Sequence, residues 1–89
     1  HGVGRHIHEP PSILNFPARR NRQQIEDGMV FTIEPFLNMG KGRIYEEDDG
    51  WTLRTVDHSL VAQYEHTVIV NGDHPILVTK SWEEYFSQN

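Results

Sequence analysis

Cysteine is missing from all 89 residues, so neither a disulfide nor a thiolate zinc site is available, and any metal must be held by imidazole or carboxylate. Long hydrophobic runs are missing too. None approaches the roughly 20 residues of a membrane-spanning helix, and no signal-peptide pattern precedes the body. Positive charge is scarce: eight Lys and Arg stand against thirteen Asp and Glu, for a net charge of −5. That balance offers no general attraction for nucleic-acid phosphates or anionic lipid, so neither nucleic acid nor membrane is an expected partner, and the cytoplasm is the expected compartment. There is no internal repeat, low-complexity tract or linker, and residues 1–89 read as one small unit with modest burial. The first residue is His1 rather than Met, and His1-Gly-Val-Gly-Arg5 reads as the middle of a fold, so an upstream portion is expected.

The informative residues are two glutamates. Glu34 lies in Met29-Val-Phe-Thr-Ile-Glu34-Pro, and Glu65 in Ala62-Gln-Tyr-Glu65-His-Thr-Val-Ile-Val70, both otherwise apolar and β-branched. A carboxylate in such a stretch is costly unless a cation or hydrogen-bond donors compensate it, so two of them point to one shared charged site. With a strand period of two, Thr32 and Glu34 share a face, as do Gln63, Glu65 and Thr67.

The rest of the pattern predicts a mostly antiparallel β chain. His1 to His8 reads as extended, Glu9-Pro10-Pro11 as a PPII-like or turn segment, and Asp27-Gly28 as a turn. One strand is expected from Met29 to about Leu37, bent near Pro35. Asn38 to Gly50, with its acidic run Glu46-Glu47-Asp48-Asp49, reads as a solvated loop. Trp51–Val56 is expected to form a hairpin with one long strand from Leu60 to about Val70. Ile76-Leu77-Val78 is a further short strand, and Ser81-Trp-Glu-Glu84 is a capping box opening a terminal helix. Val30, Phe31, Ile33, Val68 and Val70 alternate with polar residues and predict a sheet face built to be covered.

Imidazole and carboxylate suit zinc, manganese, iron(II) or cobalt, and a bridging carboxylate can hold two ions. Glu34, Glu65 and one or more of His1, His6 and His8 supply these donors. Taken singly, each His is more often a surface or hydrogen-bonded residue than a ligand, and each Glu is also readable as exposed at a strand edge. His1 and His8 lie an odd number of residues apart, so both reach one locus only through a bend or bulge.

Five blocks, in order, resemble type I methionine aminopeptidases: His1-Gly-Val-Gly-Arg5, His8-Glu-Pro-Pro11, Gly28-Met-Val-Phe-Thr-Ile-Glu34-Pro35, Asp49-Gly-Trp-Thr52 and Ala62-Gln-Tyr-Glu65-His66-Thr67. The first and third are similar to proline-specific peptidases as well. The last two resemble the methionine branch, where the proline-specific group tends to carry an Arg-(Ile or Val)-Glu-Asp-type element.

The resemblance implies an α+β chain, the C-terminal half of a pita-bread fold, with two divalent metal ions in the complete centre. It implies hydrolytic removal of the initiator Met, with nascent polypeptide N-termini as partners and the ribosome as a candidate neighbour. On that basis His1 and Glu34 match ligands of one metal, and Glu65 matches the carboxylate bridging both. Two aspartate ligands lie upstream in family members and are not among these residues, so the fragment alone is expected to be inactive. Glu34 and His8 match catalytic residues, the first moving a proton and the second hydrogen-bonding substrate. Trp51 matches the aromatic bordering the substrate pocket, with a packing residue as its plainer reading. Thr32 and Gln63 are candidates to support the ligands from behind. Ile7 replaces the aromatic expected beside His8. His6, His58 and His74 are expected at the surface, and His66 in a supporting role. The alternative is a non-catalytic pita-bread module that binds protein or ribosome.

Overall fold

Where strands stop in this chain is decided by proline, glycine and Asx turns more than by apolar content. The computed structural model describes residues 1–87, Tyr85 through its backbone only. Its elements are β1 (Val30–Ile33), β2 (Phe36–Asn38), β3 (Ile44–Glu46), β4 (Leu53–Thr55), β5 (Val61–Gln63), β6 (His66–Ile69), β7 (Ile76–Leu77) and α1 (Trp82–Ser87). They fall into two compact units, one of His1–Glu34 with the segment from Glu65 onward, the other of Pro35–Tyr64.

The first unit is built on an antiparallel sheet of order β1-β6-β7. Val30 faces Ile69, Phe31 Val68, Thr32 Thr67 and Ile33 His66. Asp27-Gly28 and Asn71-Gly72 close one end: Gly28 N–H donates to the Val70 carbonyl at 2.8 Å, and Asp27 Oδ1 accepts from Gly72 N–H at 2.7 Å. Gly28 and Gly72 take φ of 85° and 54°, which side chains resist.

The N-terminal residues add to the open edge of β1. Gly2 bridges Phe31, Thr32 N–H donates to the His1 carbonyl at 2.7 Å, and Val3 N–H donates to the Val30 carbonyl at 3.3 Å. Residues 1–8 are not extended throughout as expected. After Val3 the chain turns, with Gly4 N–H donating to the His6 carbonyl at 3.1 Å, and returns so that Glu9 bridges Gly2 from the other side. Glu9 N–H donates to the Gly2 carbonyl at 3.0 Å and Gly2 N–H to the Pro11 carbonyl at 2.9 Å. Phe31 and Thr32, covered on both edges, are 4% and 3% exposed. The unit's helix opens on the expected capping box: Glu84 N–H donates to Ser81 Oγ at 3.2 Å, and Ser81 N–H to Glu84 Oε2 at 2.9 Å.

The second unit pairs β2 with β5 and β3 with β4, both antiparallel. Two expectations are corrected here. The single strands Met29–Leu37 and Leu60–Val70 are each broken, one at Glu34-Pro35 and the other at Tyr64-Glu65. Pro35 has no N–H to give to a ladder. Trp51–Val56 does not pair with the strand after Leu60 either; β4 pairs with β3, a strand in the region expected to be loop. The acidic run supplies the hairpin turn itself. Gly50 N–H donates to the Glu47 carbonyl at 3.0 Å, Gly50 takes φ 69°, and Asp49 Oδ1 accepts from the Trp51 and Thr52 amides at 2.9 and 2.8 Å.

The expected apolar face is exposed only in part. Val30, Val68 and Val70 are half-buried and Phe31 is buried, whereas Ile33, of that same face, is 43% exposed and Phe36, Leu37 and Leu60 are 62%, 70% and 78% exposed. Proximity of the β1–β6 sheet to the N-terminal edge strand and β7 accounts for the first group. No helix among the described residues is long and apolar enough to cross a membrane.

Candidate metal centre

Glu34 follows the last residue of β1 and Glu65 precedes the first residue of β6. Ile33 faces His66, so one further step of that register sets the two glutamates opposite each other. His1 reaches them from the edge strand, because the Thr32 amide holds its carbonyl. The result is one imidazole and two carboxylates, each with a donor atom within 4.8 Å of the others'. His1 Nε2 lies 3.0 Å from Glu34 Oε2 and 3.6 Å from Glu65 Oε1. Neither glutamate lies inside a strand, as their apolar surroundings had suggested; both occupy the strand breaks, with side chains 28% and 46% exposed.

The orientation of His1 is set by its own neighbour. Nδ1 donates to the Gly2 carbonyl at 2.9 Å, which leaves Nε2, the nitrogen facing both carboxylates, with a lone pair in the neutral ring. That hydrogen bond to Gly2 raises the His1 pKa above its ordinary 6.5, helped by Glu34 and Glu65 against desolvation. The hydrogen bond between the glutamates is the leading cause of both their shifts, Glu34 down and Glu65 up. His1 and Thr32 assist the lowering at Glu34. Two carboxylates this close make the second ionisation harder than the first, so Glu65 holds its proton to higher pH than Glu34. Replacing that proton by a cation is the chemistry such a donor set favours.

Around the cluster, Thr32 Oγ1 donates to Glu34 Oε2 at 3.4 Å and is buried. The His8 ring lies with its centroid 4.3 Å from that of His1, tilted by 52°. The turn after Val3 resolves their odd spacing by returning His8 beside the Gly2–Glu9 bridge. Ile7 is 77% exposed. His6, His58 and His74 are exposed. Trp51 and Gln63 belong to the second unit; Trp51 is 86% exposed, which removes its reading as a packing residue, and Gln63 is exposed on β5.

Sequence reasoning passed over two features. The Gly2 carbonyl fixes the His1 ring, and the return of Glu9–Pro11 over Gly2 leaves no room for a side chain there; the Gly beside His1 and the Pro pair were the available signals. His66 is held by Thr79 and Glu84, residues too distant in sequence for any local pattern to join.

A pair of glutamates at facing strand ends with a histidine donor is a candidate metal site, and the comparisons with known proteins show the family. The chain belongs to metallopeptidase family M24, whose family model matches residues 1–72. It is 50% identical over 73 residues to the methionine aminopeptidase of Escherichia coli strain K12, covering 82% of this chain and 28% of that protein. It is 43% identical over 88 residues to the methionine aminopeptidase of Buchnera aphidicola subsp. Acyrthosiphon pisum, covering 99% and 33%. Among solved structures it superposes on the Thermotoga maritima methionine aminopeptidase with a TM-score of 0.83 and 38% identity, over 91% of this chain and 32% of that one. The Rickettsia prowazekii methionine aminopeptidase gives 0.80 and 42%, over 86% and 32%. The architecture is thus that of the pita-bread metallopeptidases, mainly antiparallel strands with one short helix, and the chain spans about a third of these relatives' length.

Proposed function

We propose that residues 1–89 are part of the catalytic domain of a methionyl aminopeptidase and supply three ligands, His1, Glu34 and Glu65, of its centre for two divalent metal ions. The observation that carries this reading is the cluster itself: three donors within 4.8 Å in a chain half identical to an enzyme of that name over most of its length. The donor chemistry fits. One imidazole nitrogen and two carboxylates within 4.8 Å of one another suit a hard or borderline divalent cation, and cobalt, manganese, iron(II) and zinc all qualify. When bound, the metal pair supplies Lewis acidity and a water of lowered pKa.

This chain's own residues do the rest. With the metal ions bound, Glu34 would serve as the group that accepts a proton from the water and passes it to the leaving amine. Thr32 holds the Glu34 carboxylate from the buried side. His8 would hydrogen-bond the scissile amide, and Trp51 is kept as a substrate-contact candidate on the resemblance alone. Gln63 is the weaker candidate for support. Substrates would be nascent polypeptide N-termini in the cytoplasm, with the ribosome nearby. Two of the five side chains expected to hold the metals are aspartates that these residues do not include, so the chain by itself should release no methionine.

Incubating the chain with a Met-Ala-type peptide and added cobalt or manganese tests that limit, since chelator-sensitive turnover would contradict it. In a protein joining these residues to the two aspartates, Glu65→Gln should abolish turnover with little loss of fold, and a near-normal rate would reject the bridging role. A purely binding module leaves the three-donor cluster without a purpose.

A further inference from the structure

We propose that helix α1 positions the Glu65 carboxylate, acting through a clasp in which Thr79 and Glu84 hold the two ring nitrogens of His66. This rests on the reading of Glu65 as a metal ligand. Thr79, Ser81 and Glu84 all lie beyond residues 1–72, the part matched by the family.

Glu65 is poorly held by its own element. It precedes β6 at a strand break, and its side chain is 46% exposed. A ligand at a fraying strand end loses geometric definition unless its neighbours are fixed. His66 is the next residue and the first of β6, so whatever fixes His66 fixes the backbone that carries Glu65. Strand alternation sends the His66 side chain to the face opposite Thr67, leaving the side of the Glu65 carboxylate clear.

The hydrogen bonds at His66 form one connected set. Thr79 Oγ1 accepts from Thr67 N–H at 2.9 Å, and its single proton goes to His66 Nδ1 at 2.8 Å. Nε2 then carries the ring hydrogen and donates it to Glu84 Oε1 at 3.2 Å. The second carboxylate oxygen of Glu84 accepts from Ser81 N–H at 2.9 Å. Glu84 thus closes the cap of α1 and grips the start of β6 with the same side chain. His66 and Glu84 are 21% and 31% exposed, so water screens the contact only in part. Thr79 follows β7, which is itself paired to β6 through Val68–Leu77 and Ile69–Ile76, so the clasp extends that pairing to the strand end where the ladder stops.

The Thr67 amide and the metal affinity read out the two ends of this chain of contacts. Wild type, Glu84→Ala, Glu84→Gln, Ser81→Ala and Glu65→Gln would be compared by amide hydrogen exchange of the metal-free chain and by Mn²⁺ titration followed through the free-ion EPR signal. Glu84→Ala should speed Thr67 exchange about tenfold and weaken Mn²⁺ binding at least about threefold, a smaller loss than removing a direct ligand partner. Glu84→Gln, which keeps an acceptor for Nε2–H, should restore most of both. Ser81→Ala loosens the cap but leaves the clasp, and should change each by less than about twofold. Unchanged exchange and affinity in Glu84→Ala would overturn the proposal. So would Ser81→Ala matching Glu84→Ala, because helix docking alone would then explain the effect. Mn²⁺ affinity left unchanged by Glu65→Gln would instead reject Glu65 as a ligand, and the positioning role with it; wild-type binding that Glu84→Ala leaves intact rejects the clasp alone.

Discussion

Gly2→Ala is the sharpest test of how the fold delivers His1 and His8. A Cβ on Gly2 would lie 2.7 Å from both the Glu9 carbonyl oxygen and the Pro10 carbonyl carbon, with the Pro10 oxygen nearer still. All three are backbone atoms, so no side-chain rotation relieves the clash; the Glu9–Pro11 return must move away. Two hydrogen bonds then open, Glu9 N–H to the Gly2 carbonyl and Gly2 N–H to the Pro11 carbonyl. At about 0.5–1.5 kcal/mol net for each, the bridged form loses about 1–3 kcal/mol. Its population ratio to the open form therefore falls roughly 5- to 150-fold. Amide exchange at Glu9 should accelerate by that factor, and the cross-relaxation between the His1 and His8 rings, now 4.3 Å apart, should disappear. Gly4→Ala is the control. Its Cβ meets only the Glu9 carboxylate, 2.8 Å from Oε1, and that side chain can swing away, so Glu9 exchange should stay within about twofold of wild type. Glu9 exchange equally slow in Gly2→Ala, with the ring contact kept, would refute the reasoning, since the return segment would then have absorbed the methyl without opening.

Further outcomes follow from the charges and the exposed surface. Metal affinity should rise with pH: Nε2 must be neutral to bind, and the raised His1 pKa means binding is lost as pH falls through a value above 6.5. In the metal-free chain the sign reverses, the charged ring's stabilisation being complete below 6.5 and lost as pH rises through the raised folded-state pKa above it; Co²⁺ affinity that stays flat between about pH 6 and 8 would exclude His1 as a ligand. Asp57, held down to about 2 first by the Ser59 hydroxyl and then by the Lys41 and Ser59 amides, should keep the residue 38–41 and 57–59 loops joined above its ordinary 3.8 and release them as pH falls to about 2. Carbon-13 titration of the Asp57 carboxyl reads this directly, and a midpoint near 3.8 would contradict it. With Phe36, Leu37 and Leu60 each more than half exposed, the chain should associate in a concentration-dependent way, and sedimentation showing only monomer across the micromolar range would count against that.

How much of this was legible beforehand differs from residue to residue. The capping box of Ser81 and Glu84, the Asp27-Gly28 turn and the antiparallel character are local properties, set by side chains within a few positions of each other, and the sequence alone determined them. The pairing of Glu34 with Glu65 and His1 was legible through block order and shared strand faces, although Pro35 places the first of them at a strand end. What only the tertiary structure decided were the long-range partners. β4 pairs with β3 because the acidic run folds into a turn, and His8 returns to His1 because the chain doubles back across Gly2. His66 meets Thr79 and Glu84 only after β7 has laid its strand against β6. Local pattern encodes which face a side chain takes, but a hydrogen bond between residues 18 apart exists only once the intervening chain has chosen its path.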